Sequence, residues 1–168
     1  KNRHIVKAVS LPIGALTLTG TYQKGDEYTP KELEKMTKAV KKTIKEHTWL
    51  QNIKLPLLGI GGTARNIAKI DQRKLSYPIT KLHNYELPYY RFHEILEDVK
   101  GKSLEARKKI SGLSSDRADI IIAGLTIVDE LFNYVNTKTL VVGGCGLREG
   151  LFYDYYGENY LGGNSIIE

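Results

Sequence analysis

Three glycines in four positions stop an apolar run at Gly59-Ile60-Gly61-Gly62-Thr63, and helix-forming residues resume at once in LLGIGGTARNIAKI, residues 57 to 70. A strand-to-helix turn of this kind lets a ligand approach the backbone closely. The helix behind it presents unpaired N–H groups and the positive end of its dipole, which suits an anion. A second turn, Gly143-Gly144-Cys145-Gly146, repeats the pattern. Neither carries a stronger phosphate signature: no Gly-Lys-Ser/Thr follows at P-loop spacing, and no G-x-G-x-x-G occurs. On the glycines alone, a phosphate cradle and a purely structural turn are equal readings.

Arg117 is the more telling residue. It stands among Ser114, Ser115, Asp116 and Asp119, at the expected start of a long apolar helix. A cation in a first turn opposes the macrodipole, so either the aspartates offset it in an ion pair or the guanidinium reaches for an anion; both readings stay open. Arg65 and Arg148 follow their glycine turns in similar positions, so three arginines can converge at strand ends, where open α/β sheets bind ligands. Other chemistry is thin. Cys145, without a neighbouring His, reads as a small buried residue and not a nucleophile. His4, His47, His83 and His93 are scattered, and neither HExxH nor CxxC occurs, so no metal site is expected from the chain. Asp116 and Asp119 read as helix caps, and Glu149 as an ion-pair partner of Arg148. No catalytic general base is evident.

The elements that must position these residues alternate. Residues 4 to 19 mix β-branched and apolar residues in rough alternation and read as one or two strands forming an antiparallel ribbon. Thr29-Pro30-Lys31-Glu32 is a capping box with proline at the first helical position. Leu33, Met36, Val40, Ile44 and His47 then follow at helical spacing, while seven lysines from Lys24 to Lys45 read as a solvated face. Residues 53 to 60 read as a buried strand and Asp71 to Leu87 as a polar, tyrosine-rich connection. Pro88 to Val99 reads as a helix, and Ser103 caps another over Leu104 to Ile110. Residues 112 to 135 read as a helix capped by Ser114 or Ser115 and buried on more than one side. Residues 139 to 156 repeat strand, glycines and helix. Two such units argue for an α/β layered domain with a parallel portion to its sheet.

Composition bounds the rest. A chain of 168 residues, 41% hydrophobic, can bury one core. Twenty-five Lys+Arg against 19 Asp+Glu leave a formal charge of +6, which suits a phosphate, nucleotide or nucleic-acid partner without choosing among them. One cysteine excludes a disulfide framework and points to a reducing cytoplasm. No apolar stretch approaches a membrane span of about 20 residues, and no signal-peptide order is seen in residues 1 to 20.

The motif order resembles the exopolyphosphatase and guanosine pentaphosphate phosphohydrolase family, Ppx/GppA. The segments that carry the resemblance are SLPIGALTLT at 10 to 19, GIGGTARNIAKI at 59 to 70, ISGLSSDRADIIIAGLTIVDELF at 110 to 132 and LVVGGCGLREGLFYDYY at 140 to 156. GLSSDRADIIIAG and GLREGLFYDY are the most specific. The resemblance implies one actin-like (ribonuclease H-like) domain of the superfamily shared with sugar kinases, heat-shock chaperones and actin, with a mixed sheet flanked by helices. It implies that residues 1 to 168 are a single domain, a fragment corresponding to the second lobe of such an enzyme. The first lobe, with its catalytic glutamate, and an Asp-x-Gly-Gly-Gly-Ser/Thr phosphate loop expected just before Lys1 have no counterpart here.

The implied reaction is hydrolysis of a terminal phosphoanhydride of inorganic polyphosphate or guanosine pentaphosphate, assisted by Mg²⁺ whose ligands lie outside this chain. The substrate-binding residues implied for this lobe are Gly61, Gly62, Thr63, Arg117, Gly143 and Gly144, with Arg65 and Arg148 as secondary candidates. The missing lobe and a second copy of the chain are the expected protein partners; no nucleic acid or membrane is expected. Two rival readings remain, a non-catalytic phosphate- or nucleotide-binding module and a kinase of the same superfamily. The SDRAD and GLREG segments favour the phosphatase over the kinase.

Overall fold

The computed structural model describes residues 5–78 and 81–160; His4, the first residue of the expected leading strand, lies outside them. Seven helices and three strands follow one another as α1 (Ala15–Tyr22), α2 (Pro30–Lys45), β1 (Leu57–Gly59), α3 (Gly62–Lys74), β2 (Tyr85–Pro88), α4 (Tyr89–Lys100), α5 (Leu104–Lys108), α6 (Ile121–Val135), β3 (Thr139–Val142) and α7 (Leu147–Tyr160) among the described residues. The sheet is mixed, ordered β1-β3-β2. β1 and β3 run parallel, Leu58 opposite Val141, and β2 runs antiparallel to β3, Tyr85 opposite Val142. The expected parallel portion is thus formed by the two strand-turn-helix units.

Three expectations are corrected. The leading segment is not a ribbon: residues 5 to 14 form no strand, and Ala15–Tyr22 is helical. Ala15, Leu18 and Tyr22 fall at three- and four-residue spacing and lie against the core, with Leu18 buried, so the helical period wins over the alternation of β-branched residues. Ile5 and Val6 are 84% and 78% exposed and have no partner strand among the described residues, which a strand requires. The antiparallel element is instead β2, within the stretch expected to be a connection; Asp71 to Lys74 of that stretch complete α3. Finally, β1 is not buried. Gly59 and Leu57 are half-buried but Leu58 is 64% exposed, because β1 is an edge strand whose outward face carries no helix among the described residues.

Elsewhere local chemistry and structure agree. The Thr29 capping box forms in full: Glu32 N–H donates to the Thr29 hydroxyl at 3.3 Å, and Thr29 N–H donates to the Glu32 carboxylate at 2.8 Å. Met36, Val40 and Ile44 of α2 are buried and its lysines exposed. Ser103 Oγ accepts from Ala106 N–H and starts α5. α6 is buried continuously from Ile121 to Thr126, because α1, α2, α3 and α4 all pack on it. It ends on Asn136 in the left-handed conformation that stops helices. Phe92 of α4 and Phe132 of α6 meet at 5.1 Å between ring centres in the core.

One polar knot is buried beside the sheet. The Tyr85 hydroxyl donates to Asp71 Oδ2 at 2.6 Å, and Arg91 Nη2 lies 3.3 Å from the same oxygen. Burial and then the Asp71 carboxylate hold the tyrosine far above its ordinary pKa, so it stays a donor. The knot joins α3, β2 and α4, which a sequence reading without pairing information does not connect.

Gly112, at φ +93°, lies so close to α3 that a β-carbon would come within 2.6 Å of the Lys69 carbonyl. Gly112→Ala is therefore expected to cost about 2–4 kcal/mol, from the left-handed backbone and the forced displacement together. Gly20, within α1 and with nothing within 4 Å of its β position, is the control: Gly20→Ala should be neutral or stabilising by up to about 1 kcal/mol. Urea unfolding of the two variants checks both, and equal midpoints would refute the close approach.

Candidate anion site at the strand ends

β1 ends at Gly59, and the chain enters α3 after two further residues. A β-carbon on Gly59 would come within 2.8 Å of Ala64 Cβ and 2.9 Å of Leu140 Cδ1, and Gly61 takes φ +103°. These two glycines answer packing and backbone demands. The turn they allow leaves a bare helix start. Gly61, the residue before α3, offers no capping side chain, and its carbonyl accepts only the Arg65 N–H, at 3.1 Å. Among the described residues nothing accepts the N–H groups of Gly62, Thr63 and Ala64, and no acidic residue lies in the first turn. Three orphan donors at the positive end of a 13-residue helix make a cradle for an anion.

Arg117 lies over that cradle. Its Cζ is 3.8 Å from the β position of Gly62. The residue is not in the first turn of the following helix, as expected, but on a short 3-10 turn, Ser115–Arg117, and α6 begins only at Ile121. Ser114 makes no side-chain cap, and Asp119 accepts from the neighbouring Ile120 N–H at 2.9 Å. So Arg117 does not oppose the dipole of its own helix; it confronts that of α3. Its ion pair, Nε to Asp116 Oδ2 at 3.6 Å, joins side chains 50% and 74% exposed. An exposed pair of this kind holds little, at most about 1 kcal/mol.

The segment bearing Arg117 is pinned on both flanks. Asn66 of α3 accepts the Ser114 N–H at 2.8 Å. Arg107, fully buried at the end of α5, donates from Nη1 to the Ala118 carbonyl at 2.7 Å and from Nη2 to the Asp26 carbonyl at 3.2 Å. Burial draws the Arg107 pKa below its ordinary value. Arg107 was not among the residues the sequence singled out. It looks like any arginine of a short basic helix, and only the path of the chain at Asp26 and Ala118 reveals its role.

The remaining candidates divide. The Thr63 side chain turns away from the cradle to pack on α6, where a β-carbon on Gly124 would meet its Oγ1 at 2.8 Å; only its amide faces the turn. The N–H groups of Gly143 and Gly144 are occupied, the first by the Gly59 carbonyl at 2.8 Å and the second by His83 Nδ1 at 3.1 Å. Cys145 beside them is exposed, against the expectation of burial. Arg65 and Arg148 both bear on Glu149, whose carboxylate accepts the Gly146 N–H at 2.7 Å. That amide first, then the backbone amide of Glu149 itself, and last the field of Arg148 and Arg65 hold Glu149 below the usual carboxylate range. Glu149 thus caps the turn into α7. Arg117 lies beside Gly62, whereas among the described residues the side chains of Arg65 and Arg148 make no contact with the cradle and only add positive field at Glu149.

Hard cations take oxygen ligands, and this cradle presents N–H donors and a guanidinium. No group of three His, Cys, Asp or Glu side chains suited to a metal occurs among the described residues. The cradle does not fit Mg²⁺.

An α/β lobe with an uncapped helix start beneath an arginine has the strand-to-helix geometry that suits an anion. The model of the Ppx/GppA phosphatase family matches residues 1–158, and the chain belongs to that family. Its fold is the actin-like α/β fold of the family's solved structures. A crystal structure of the Aquifex aeolicus Ppx/GppA family member superimposes with a TM-score of 0.80 and 27% identity, covering 95% of this chain and 52% of that one. An exopolyphosphatase from Cytophaga hutchinsonii gives a TM-score of 0.83 at 19% identity, with 93% and 51% covered. Among curated proteins, a bifunctional 3-dehydroquinate synthase/phosphatase of Fusobacterium nucleatum subsp. nucleatum is 26% identical over 141 residues, 82% of this chain and 21% of the relative. A guanosine-5'-triphosphate,3'-diphosphate pyrophosphatase of Aeromonas salmonicida is 29% identical over 69 residues, 39% of this chain and 14% of the relative. The chain therefore spans about half the length of its solved relatives, and it covers 21% and 14% of these curated ones. No helix among the described residues is long and apolar enough to cross a membrane.

The His83 bond predicts a local effect. In His83→Ala the Gly144 amide loses its acceptor, and its hydrogen exchange should accelerate at least tenfold while core amides of β3 stay protected. His83→Asn, which can offer an oxygen from a similar place, should restore part of the protection. Unchanged exchange in His83→Ala would show that the imidazole does not hold the turn.

Proposed function

We propose that this chain is the second lobe of a two-lobed phosphatase that hydrolyses terminal phosphoanhydride bonds of inorganic polyphosphate or of guanosine pentaphosphate. The cradle amides of Gly62, Thr63 and Ala64 and the Arg117 guanidinium would bind the substrate phosphates. The carrying observation is the pairing of three unsatisfied amides with a half-exposed arginine that α3 alone would repel. An anion between them satisfies the donors and turns the repulsion into two attractions. The Gly61 backbone completes the turn, and Gly143 and Gly144 would form a side-chain-free wall and not further donors.

Two observations support a partner lobe. The outward face of the sheet carries exposed Leu58, and Ile60 is 60% exposed, an apolar surface of the kind that domains cover. The chain also spans about half of each solved relative. The polyphosphate and guanosine pentaphosphate alternatives come from the printed names of relatives, one an exopolyphosphatase and one a pyrophosphatase of a guanosine phosphate. A second reading, a non-catalytic phosphate-binding module, is favoured by one feature: the carboxylate beside Arg117, Asp116, is paired with it and is poorly placed to act as a base.

In the full-length protein, Arg117→Ala is expected to lower kcat/KM for phosphate release by about 10²-fold or more, as for other lost charge-stabilising groups, with the melting temperature unchanged. The chain of residues 1–168 by itself should release no phosphate. Loss of folding in Arg117→Ala would make the Asp116 ion pair its true role, and full activity in that variant would remove the arginine from the site.

A further inference from the structure

Away from the strand ends, α2 and α6 face each other with matching patterns. Lys41, Ile44 and Lys45 stand at positions i, i+3 and i+4 of α2, and Glu130, Asn133 and Tyr134 repeat that spacing on α6, so each set shares one side of its helix. Between the two sets opens a cavity of about 240 Å³, lined by these six residues. The Tyr134 hydroxyl donates to the Lys45 carbonyl at 3.4 Å and bridges the two helices.

Glu130 is the anomaly of this cavity. It is only 8% exposed, yet among the described residues no hydrogen bond or ion pair reaches its carboxylate. Burying a carboxylate without a partner is costly, and such groups are ordinarily paired. Glu34, Glu97 and Glu105, all exposed, each hold a lysine of their own helix at 2.6 to 3.1 Å. Lys41 and Lys45 share the cavity with Glu130 and are exposed, but neither forms an ion pair among the described residues. Burial pushes the Glu130 carboxyl above its ordinary pKa, although the charge of Lys41 pulls against the rise. Both signs of charge thus line one small space and stay apart.

A space lined in this way sorts ligands by charge. A simple anion meets the lysines but is repelled by Glu130, and a simple cation meets the reverse. A molecule that carries a cationic donor and an anionic acceptor a few ångströms apart satisfies both walls with charge-assisted hydrogen bonds. Ile44 and the Tyr134 ring add apolar surface between them.

We propose that the cavity between α2 and α6 binds a free α-amino acid with an apolar side chain, its ammonium donating to Glu130 and its carboxylate accepting from Lys41 and Lys45. The inference uses no residue of the cradle and stands or falls independently of the phosphatase reading.

The test is calorimetry on the full-length protein with L-leucine, with isoamylamine, which lacks the carboxylate, and with isocaproate, which lacks the ammonium. The wild type should bind leucine about tenfold or more tighter than either fragment, the worth of one charge-assisted bond. Glu130→Gln keeps the shape and removes the charge, and it should weaken leucine binding to a similar extent. Lys41→Gln/Lys45→Gln should weaken it by up to about fivefold for each exposed lysine, and Lys41→Arg/Lys45→Arg should restore most of the loss. Arg117→Ala should leave leucine binding intact. Without ligand, Glu130→Gln should melt at the same or a higher temperature, because it removes an unpaired buried charge. A lower melting temperature in ligand-free Glu130→Gln, matched by Lys41→Gln/Lys45→Gln, would mean that Glu130 pairs with a lysine of its own chain, and the proposal fails. It fails equally if isoamylamine binds as tightly as leucine, if leucine affinity is unchanged in Glu130→Gln, or if the wild type does not bind leucine.

Discussion

The clamp between α3 and the loop of residues 110–117 is the constraint on which the strand-end site depends. At one point it is steric, Gly112 pressed on the Lys69 carbonyl; at another it is a single hydrogen bond from Ser114 N–H to Asn66. Neither contact touches the cradle. Together they decide where Arg117 can be, because the 3-10 turn that carries it begins at Ser115 and has no long helix of its own to hold it. Arg107 closes the clamp from the far side by occupying the carbonyl of Ala118. A buried guanidinium bonded to backbone carbonyls from two chain segments is costly to desolvate, and removing it would leave those carbonyls unsatisfied. It ties the path of the chain there more firmly than apolar contact alone would.

The clamp also explains how an unfavourable electrostatic arrangement survives. An arginine above the positive end of a helix, with that helix's first amides unsatisfied, is locally worse than a capped helix by something on the order of 1–2 kcal/mol. α3 tolerates this because its stability comes from elsewhere. Ile67, Ala68 and Ile70 are buried, Asp71 is locked to Tyr85 and Arg91, and Thr63 packs on Gly124 of α6. Tertiary packing, not local propensity, sets helix stability in folded proteins. The start of α3 is thereby free of the capping that a helix relying on local stability would need.

The sequence makes this half-visible. The Thr29 capping box, the Ser103 cap and the burial of α6 on more than one side rest on local chemistry and spacing and appear in the structure, although α6 starts only at Ile121. The two strand-turn-helix units, and the parallel pairing they imply, follow from glycine placement between short apolar runs. What fails is pairing. Residues 5 to 10 have strand composition but no strand beside them, and Ala15 to Tyr22 fold as a helix because Leu18 finds the core. Tyr85 to Pro88 alternate over only four residues, too short a run to stand out in a polar stretch, yet form a strand because β3 offers its free edge. The site divides on the same line. Gly61 and Gly62 are legible as a turn and Arg117 as an anomalous cation. That the anomaly concerns α3, and that Gly143 and Gly144 have already committed their amides to Gly59 and His83, depends on contacts between residues far apart in sequence, which spacing along one segment does not encode.

The chemistry of the cradle sets its own boundary. Amides and a guanidinium stabilise negative charge, and they do so best where it develops in a transition state. They remove no proton from water. A base must carry a free lone pair within hydrogen-bond reach of the attacking oxygen, and each carboxylate around this turn already has one partner: Asp116 has Arg117, Asp119 has Ile120 N–H and Glu149 has Gly146 N–H. The donors of this turn suit the binding of negative charge, not the removal of a proton. In the two-lobed reading proposed above, activation of water would come from a second surface facing the cradle. The division of labour would then be physical as well as topological, with donors and fixed positive charge on this lobe, and the acceptor that takes the proton on the opposing one.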